Sequence, residues 1–189
     1  MNTPAHLIFG AAAFGRPAQR WTLTAALAGA MVPDLSLYLM AGWHLLVLGT
    51  DPQVVFRELY YSDAWQSVFA VDNSLVLWGA MLAIALWRRW PVLVAFAGAA
   101  ALHIAFDLPL HAGDGRAHFW PLSDWVFDSP FSYWDRRHGA GWIGPIELGA
   151  SAVLVAVLWR RVRAWPWRVA FAVLLLAEAG TSNIWRLVF

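Results

Sequence analysis

The chain has 189 residues, 60% of them hydrophobic and 13% charged, with a formal net charge of +1. Soluble domains are roughly half apolar and a quarter charged, so this composition belongs to a membrane protein. The small net charge and lack of a basic tail argue against a nucleic-acid partner, and the absence of cysteine excludes disulfides, thiolate metal sites and a cysteine nucleophile.

In chain order, Thr3-Pro4 reads as a helix start, with Thr3 as N-cap and proline at the first helical position. The helix predicted over 4–14 is too short to cross about 30 Å of hydrocarbon. It carries His6, with Gly10 and Ala13 on the same side, a small-residue face that lets another helix approach closely. No basic segment precedes the first apolar run, so no signal peptide is expected. A long apolar segment over 22–49 follows, interrupted by Pro33-Asp34, where the proline predicts a bend. After a polar connection over 51–63, a second span is predicted over 64–87, with Asp72-Asn73-Ser74 inside it and Arg88-Arg89 closing it. The third span, 91–108, carries His103 and Asp107 and stops at Pro109.

Residues 110–142 form a long loop whose many aromatic residues argue for packing at the membrane surface. Two further spans are predicted over 143–159 and 165–188. The fourteen tryptophans cluster near the ends of apolar runs, as an interfacial belt requires. The expected fold is therefore all-α: a single integral membrane domain over 1–189, a polytopic bundle of about five transmembrane helices plus a short N-terminal half-helix. Placing Arg16/Arg20, Arg88/Arg89 and Arg160/Arg161/Arg163/Arg168 on the cytoplasmic side satisfies the positive-inside rule at three loops. A multi-pass protein of the bacterial inner membrane is the expected localisation.

With that threading, Asp34 and His103 each lie about a dozen residues, roughly 18 Å, from the arginine end. Asp107 is one turn further, His6 falls at a similar level, Asp72 can reach it from the other end, and Glu178 lies near the midplane. Residues four apart share a helix face, so His103 and Asp107 can address one object. Histidine and carboxylate inside an apolar helix must be paired, hydrogen-bonded or metal-bound. A set of His6, His103 and Asp107 suits zinc, with manganese or iron as alternatives, and Asp34 could replace one ligand. The remaining carboxylates, Asp34 and Asp72, are the candidates for orienting water or acting as general base. His111 and His118, beyond Pro109, are expected to face solvent.

The ordered motifs His6-Leu7-Ile8-Phe9-Gly10, Pro33-Asp34-Leu35, His103-x3-Asp107 with Pro109, and Trp120-Pro121 resemble an inner-membrane, metal-dependent hydrolase family. Some of its members are described as LexA-binding, and it is distantly similar to zinc-dependent phospholipase C-like membrane proteins. The resemblance covers residues 1 to about 125 and implies His6, Asp34, His103 and Asp107 as a polar signature. The family's His-Arg-Gly-x-Thr-His-Ser segment has Val71-Asp72-Asn73-Ser74 as its nearest counterpart, with only the serine in common. The chain then either uses Asp72 and Asn73 in place of the histidines or lacks the activity. The expected function is metal-dependent hydrolysis of an ester, phosphoester or amide of a membrane lipid or amphiphilic small molecule. The alternatives are a non-catalytic subunit of a membrane complex, partnered by another membrane protein and with a structural polar layer, and an ion- or proton-handling relay through Asp34, Asp107 and Glu178.

Overall fold

The computed structural model describes residues 1–188, with side chains described through residue 181. The chain is all-helical: α1 (Thr3–Phe14), α2 (Thr22–Gly42), the short α3 (Pro52–Val54), α4 (Asp63–Asp72), α5 (Leu75–Trp87), α6 (Pro91–Asp107), α7 (Ala140–Arg161) and α8 (Trp165–Val188). Among the described residues, four helical stretches are long and apolar enough to cross a membrane: Thr22–Val47, Asp63–Trp87, Pro91–Leu110 and Ala140–Arg161. Large apolar side chains such as Leu39, Leu46, Leu86 and Val153 point outward, as lipid-facing surfaces do. The predicted fifth span lies on α8, whose far end falls outside the described side chains.

Small residues set the packing. Ala26 and Ala30 of α2 meet Ala95 and Ala99 of α6, with Leu7 and Phe14 of α1 against them. At Gly29 the α2 backbone lies so close to the Phe96 carbonyl that no Cβ fits. A Cβ at Gly10 would lie 2.8 Å from that of Ala30 and 3.2 Å from that of Ala99, so the predicted small face of α1 is in use. On its other side α1 packs through Ile8 and Ala11 against Val155 and Leu158 of α7 and Phe171 of α8. The half-helix is thus wedged among α2, α6, α7 and α8, which buries His6 (2% exposed).

Three local expectations are corrected. Thr3 does not cap α1: it lies inside the helix, after Asn2 at the N-cap position, and its hydroxyl turns to Asp34. The second span is not continuous but breaks at Asn73-Ser74, between α4 and α5. Backbone groups released by such a break need new partners inside a membrane. The 110–139 loop supplies them: His118 Nδ1–H donates to the Asn73 carbonyl (3.0 Å), Leu75 N–H to the His118 carbonyl (2.8 Å), and Ser74 Oγ to the Trp120 carbonyl. Trp78 Nε1 donates to the Asp72 carbonyl at 2.7 Å. Finally, Pro109 does not end the ladder, because Leu108–Leu110 continue α6 as a 3-10 turn.

Ala41 near the end of α2, Val55 and Tyr60 of the following connection, and Trp65 and Phe69 of α4 form a separate aromatic cluster. The loop packs onto it, with Tyr60 donating to the Asp114 carbonyl at 3.3 Å. At the opposite end, residues of all three arginine-bearing loops line two surface cavities, one containing Arg16 and Arg89, the other Arg20, Arg161 and Arg163.

Candidate metal centre

The side chains of His6, His103 and Asp107 come together from α1 and α6, each at most 3% exposed. Their donor atoms all lie within 4.8 Å of one another. His6 Nε2 is 2.8 Å from Asp107 Oδ1, and His103 Nε2 is 3.2 Å from Asp107 Oδ2. The two imidazoles stack with centroids 3.5 Å apart and planes 6° from parallel. Asp34 of α2 flanks the group, its Oδ1 3.6 Å from His103 Nε2. Met1 N adds a contact of 2.5 Å to Asp107 Oδ1.

The residues behind this group fix its orientation. His103 Nδ1 lies 2.7 Å from the Ala30 carbonyl, which can only accept, so Nδ1 carries a proton and Nε2 is the ring nitrogen turned to the carboxylates. That Nε2 and His6 Nδ1 are buried without a hydrogen-bond partner. Thr3 Oγ1 donates to Asp34 Oδ2 (2.5 Å) and contacts the Tyr38 hydroxyl at 2.6 Å. Two imidazoles and a carboxylate, with His103 Nδ1 held from behind by Ala30, are a donor set whose chemistry suits a divalent metal.

The sequence missed part of this wall. His111, expected in solvent, is 7% exposed: its Nε2 is 3.4 Å from Asp107 Oδ2 and its Nδ1 3.0 Å from Asp114 Oδ2. Trp134 Nε1 donates to the same Asp114 oxygen at 2.9 Å. Burial works against the His111 cation, but Asp107 and Asp114 outweigh it and raise its pKa. The signal was present, since His103, Asp107 and His111 continue one four-residue ladder. His118 is also buried, at 4% exposure, tied to the helix break instead of the cluster.

Asp72 is not brought to the group. It ends α4 half-buried, and among the described residues its carboxylate makes no hydrogen bond or ion pair. The neighbouring Asn73 is the buried residue: Nδ2 donates to the carbonyls of Pro33 (3.2 Å) and Phe69 (3.1 Å), and Oδ1 accepts from Arg116 Nη1 (2.8 Å). Arg116, itself 4% exposed, lies 4.8 Å over the Phe69 ring. Glu147 and Glu178 join the layer through Asn2, whose backbone N–H reaches Glu147 Oε1 (2.6 Å) and whose Nδ2 reaches Glu178 Oε1 (3.0 Å). Compared with protein families, with curated proteins and with solved structures, the chain matches none.

Proposed function

We propose that this protein is a multi-pass, metal-dependent hydrolase of the bacterial inner membrane, acting on an amphiphilic ester, phosphoester or amide. The observation that carries the reading is the convergence of His6, His103 and Asp107 donor atoms within 4.8 Å in an apolar bundle. The resemblance of the ordered His6, Pro33-Asp34 and His103-x3-Asp107 motifs to a membrane hydrolase family supports it. His6, His103 and Asp107 would hold the ion, with zinc the first choice and manganese or iron the alternatives. A catalytic zinc lowers the pKa of a bound water to about 7. Asp34, beside His103 and hydrogen-bonded by Thr3, would serve as the base that accepts a proton from water. The Ala30 carbonyl, by keeping the proton on Nδ1, would leave Nε2 of His103 as its ligating atom. His6, His103 and Asp107 are each at most 3% exposed, and the Asp34 flank with Tyr38 is the side open to the surroundings.

A direct test follows hydrolysis of p-nitrophenyl esters of short and long acyl chains, and of bis(p-nitrophenyl) phosphate, in neutral-detergent micelles. Chelator-sensitive turnover that Asp34→Asn and His103→Ala abolish is expected. Turnover indifferent to chelator, or unchanged in both variants, would refute the proposal.

Two observations favour a second reading, a non-catalytic membrane subunit with a structural polar layer. Asp107 is already engaged by Met1 N, His6, His103 and His111. The two imidazoles are also stacked in near-parallel planes, so an ion in the plane of one lies out of the plane of the other, and sharing it requires one ring to turn. Metal content separates the two readings.

A further inference from the structure

The arginine-rich end carries a cavity of about 580 Å³ that the hydrolase reading does not use. It lies between the loop preceding α2 and the α7–α8 connection, lined by Arg20, Arg161 and Arg163 with Trp21, Thr24 and Trp167, and no acidic residue lines it. Arg161 has a structural duty, donating to the carbonyls of Ala12 (2.7 Å) and Gly15 (3.1 Å) at the end of α1. Arg163 has no ion pair or hydrogen bond among the described residues, and Arg20 only lies over the Trp21 ring, at 5.0 Å. Their charge therefore remains free for a ligand. α2 and α8 both begin at this cavity, which adds the positive ends of two helix dipoles to the same field.

The surroundings identify the anion's carrier. Trp21 and Trp167 are interfacial side chains at the ends of apolar helices. α2 and α7, whose ends border the cavity, are long and apolar enough to cross a membrane, so the cavity lies at the level where lipid headgroups stand. A phosphate held by Arg20 and Arg163 would leave attached acyl chains to run along the apolar outer surfaces of these helices, where Val153 and Val157 of α7 are exposed. We infer that this cavity binds the phosphate group of an anionic phospholipid from the adjoining leaflet, with Arg20 and Arg163 as its principal charges. Basic pockets between helices at the membrane surface bind acidic headgroups in this way.

The test is native mass spectrometry of the full chain in neutral detergent, titrated with phosphatidylglycerol or with phosphatidylcholine of the same acyl chains. Phosphatidylglycerol should bind more tightly, and R20Q/R163Q should weaken it about 30-fold, from about 1 kcal/mol per arginine. R20K/R163K should keep binding, and R88Q/R160Q, whose arginines lie outside the lining, should stay close to wild type. Unchanged thermal unfolding of R20Q/R163Q in phosphatidylcholine shows that the fold survives. Equal losses in R20Q/R163Q and R88Q/R160Q would reduce the effect to general surface charge and overturn the inference. So would loss of binding in R20K/R163K. Inorganic phosphate binding through the same arginines, with no preference for phosphatidylglycerol, would assign the cavity to a soluble phosphate and equally overturn it.

Discussion

Replacing Asn73 with alanine removes one fully buried side chain that ties three parts of the molecule together. Its amide donates to the carbonyl of Pro33, next to Asp34, and to that of Phe69 on α4, while its oxygen receives Arg116 from the loop. Two neutral hydrogen bonds contribute about 1 kcal/mol each and one to a charged group about 2 kcal/mol, so the loss should approach 4 kcal/mol. Much of that cost is the Arg116 guanidinium left buried without its acceptor. For a chain of this length it corresponds to a fall of about 10 °C in Tm. Asn73→Asp keeps an acceptor for Arg116 but loses both donors, so it should lie between the two. Thermal unfolding in neutral detergent measures the change, and limited proteolysis within 110–139 reports whether the loop detaches. A loss below about 1 kcal/mol, or a loop no more sensitive than in wild type, would refute the claim that Asn73 joins loop to bundle.

Further outcomes follow from the packing and the loop. Gly29→Ala should destabilise by about 2 kcal/mol, since a Cβ there meets the Phe96 backbone, whereas Gly42→Ala, with open space around it, should not. Equal Tm values for the two variants would contradict the close α2–α6 crossing. Burial lowers the pKa of His118 from 6.5, and the Arg116 charge adds to that, against the hydrogen bond His118 donates to the Asn73 carbonyl. A depressed histidine pKa favours the neutral form in the folded state, so this contribution is full above about pH 6.5 and declines as pH falls below it. Proteolytic sensitivity of the loop should accordingly rise on acidification in wild type and much less in His118→Gln; identical pH profiles would contradict this.

The sequence carried the helical bundle well, because spans and half-helix follow from apolar run length and from arginines at three loops. It also carried the shared layer of His6, Asp34, His103 and Asp107, since counting 1.5 Å per residue from one membrane face needs no tertiary knowledge. The polar partners were not legible. Asn73 looked subordinate to Asp72 because charge draws the eye, yet at a helix break the amide, with both donors and an acceptor, satisfies more backbone than a carboxylate can. His111 was lost to a stop rule: proline ends an α-helix, but at the start of a 3-10 turn it is compatible with the chain's path, and the ladder continues. Thr3 and Asn2 act through contacts of 31 to 176 residues' separation, which no local pattern encodes.

The central claim rests on whether the His6–His103–Asp107 group holds a metal. Inductively coupled plasma mass spectrometry of protein purified without chelator should find a stoichiometric divalent ion in wild type. His103→Ala and Asp107→Ala should lose it, while Asp72→Ala, outside the group, should retain it. A well-folded wild type that carries no divalent metal, even after incubation with zinc and manganese, would contradict the account and leave the layer structural.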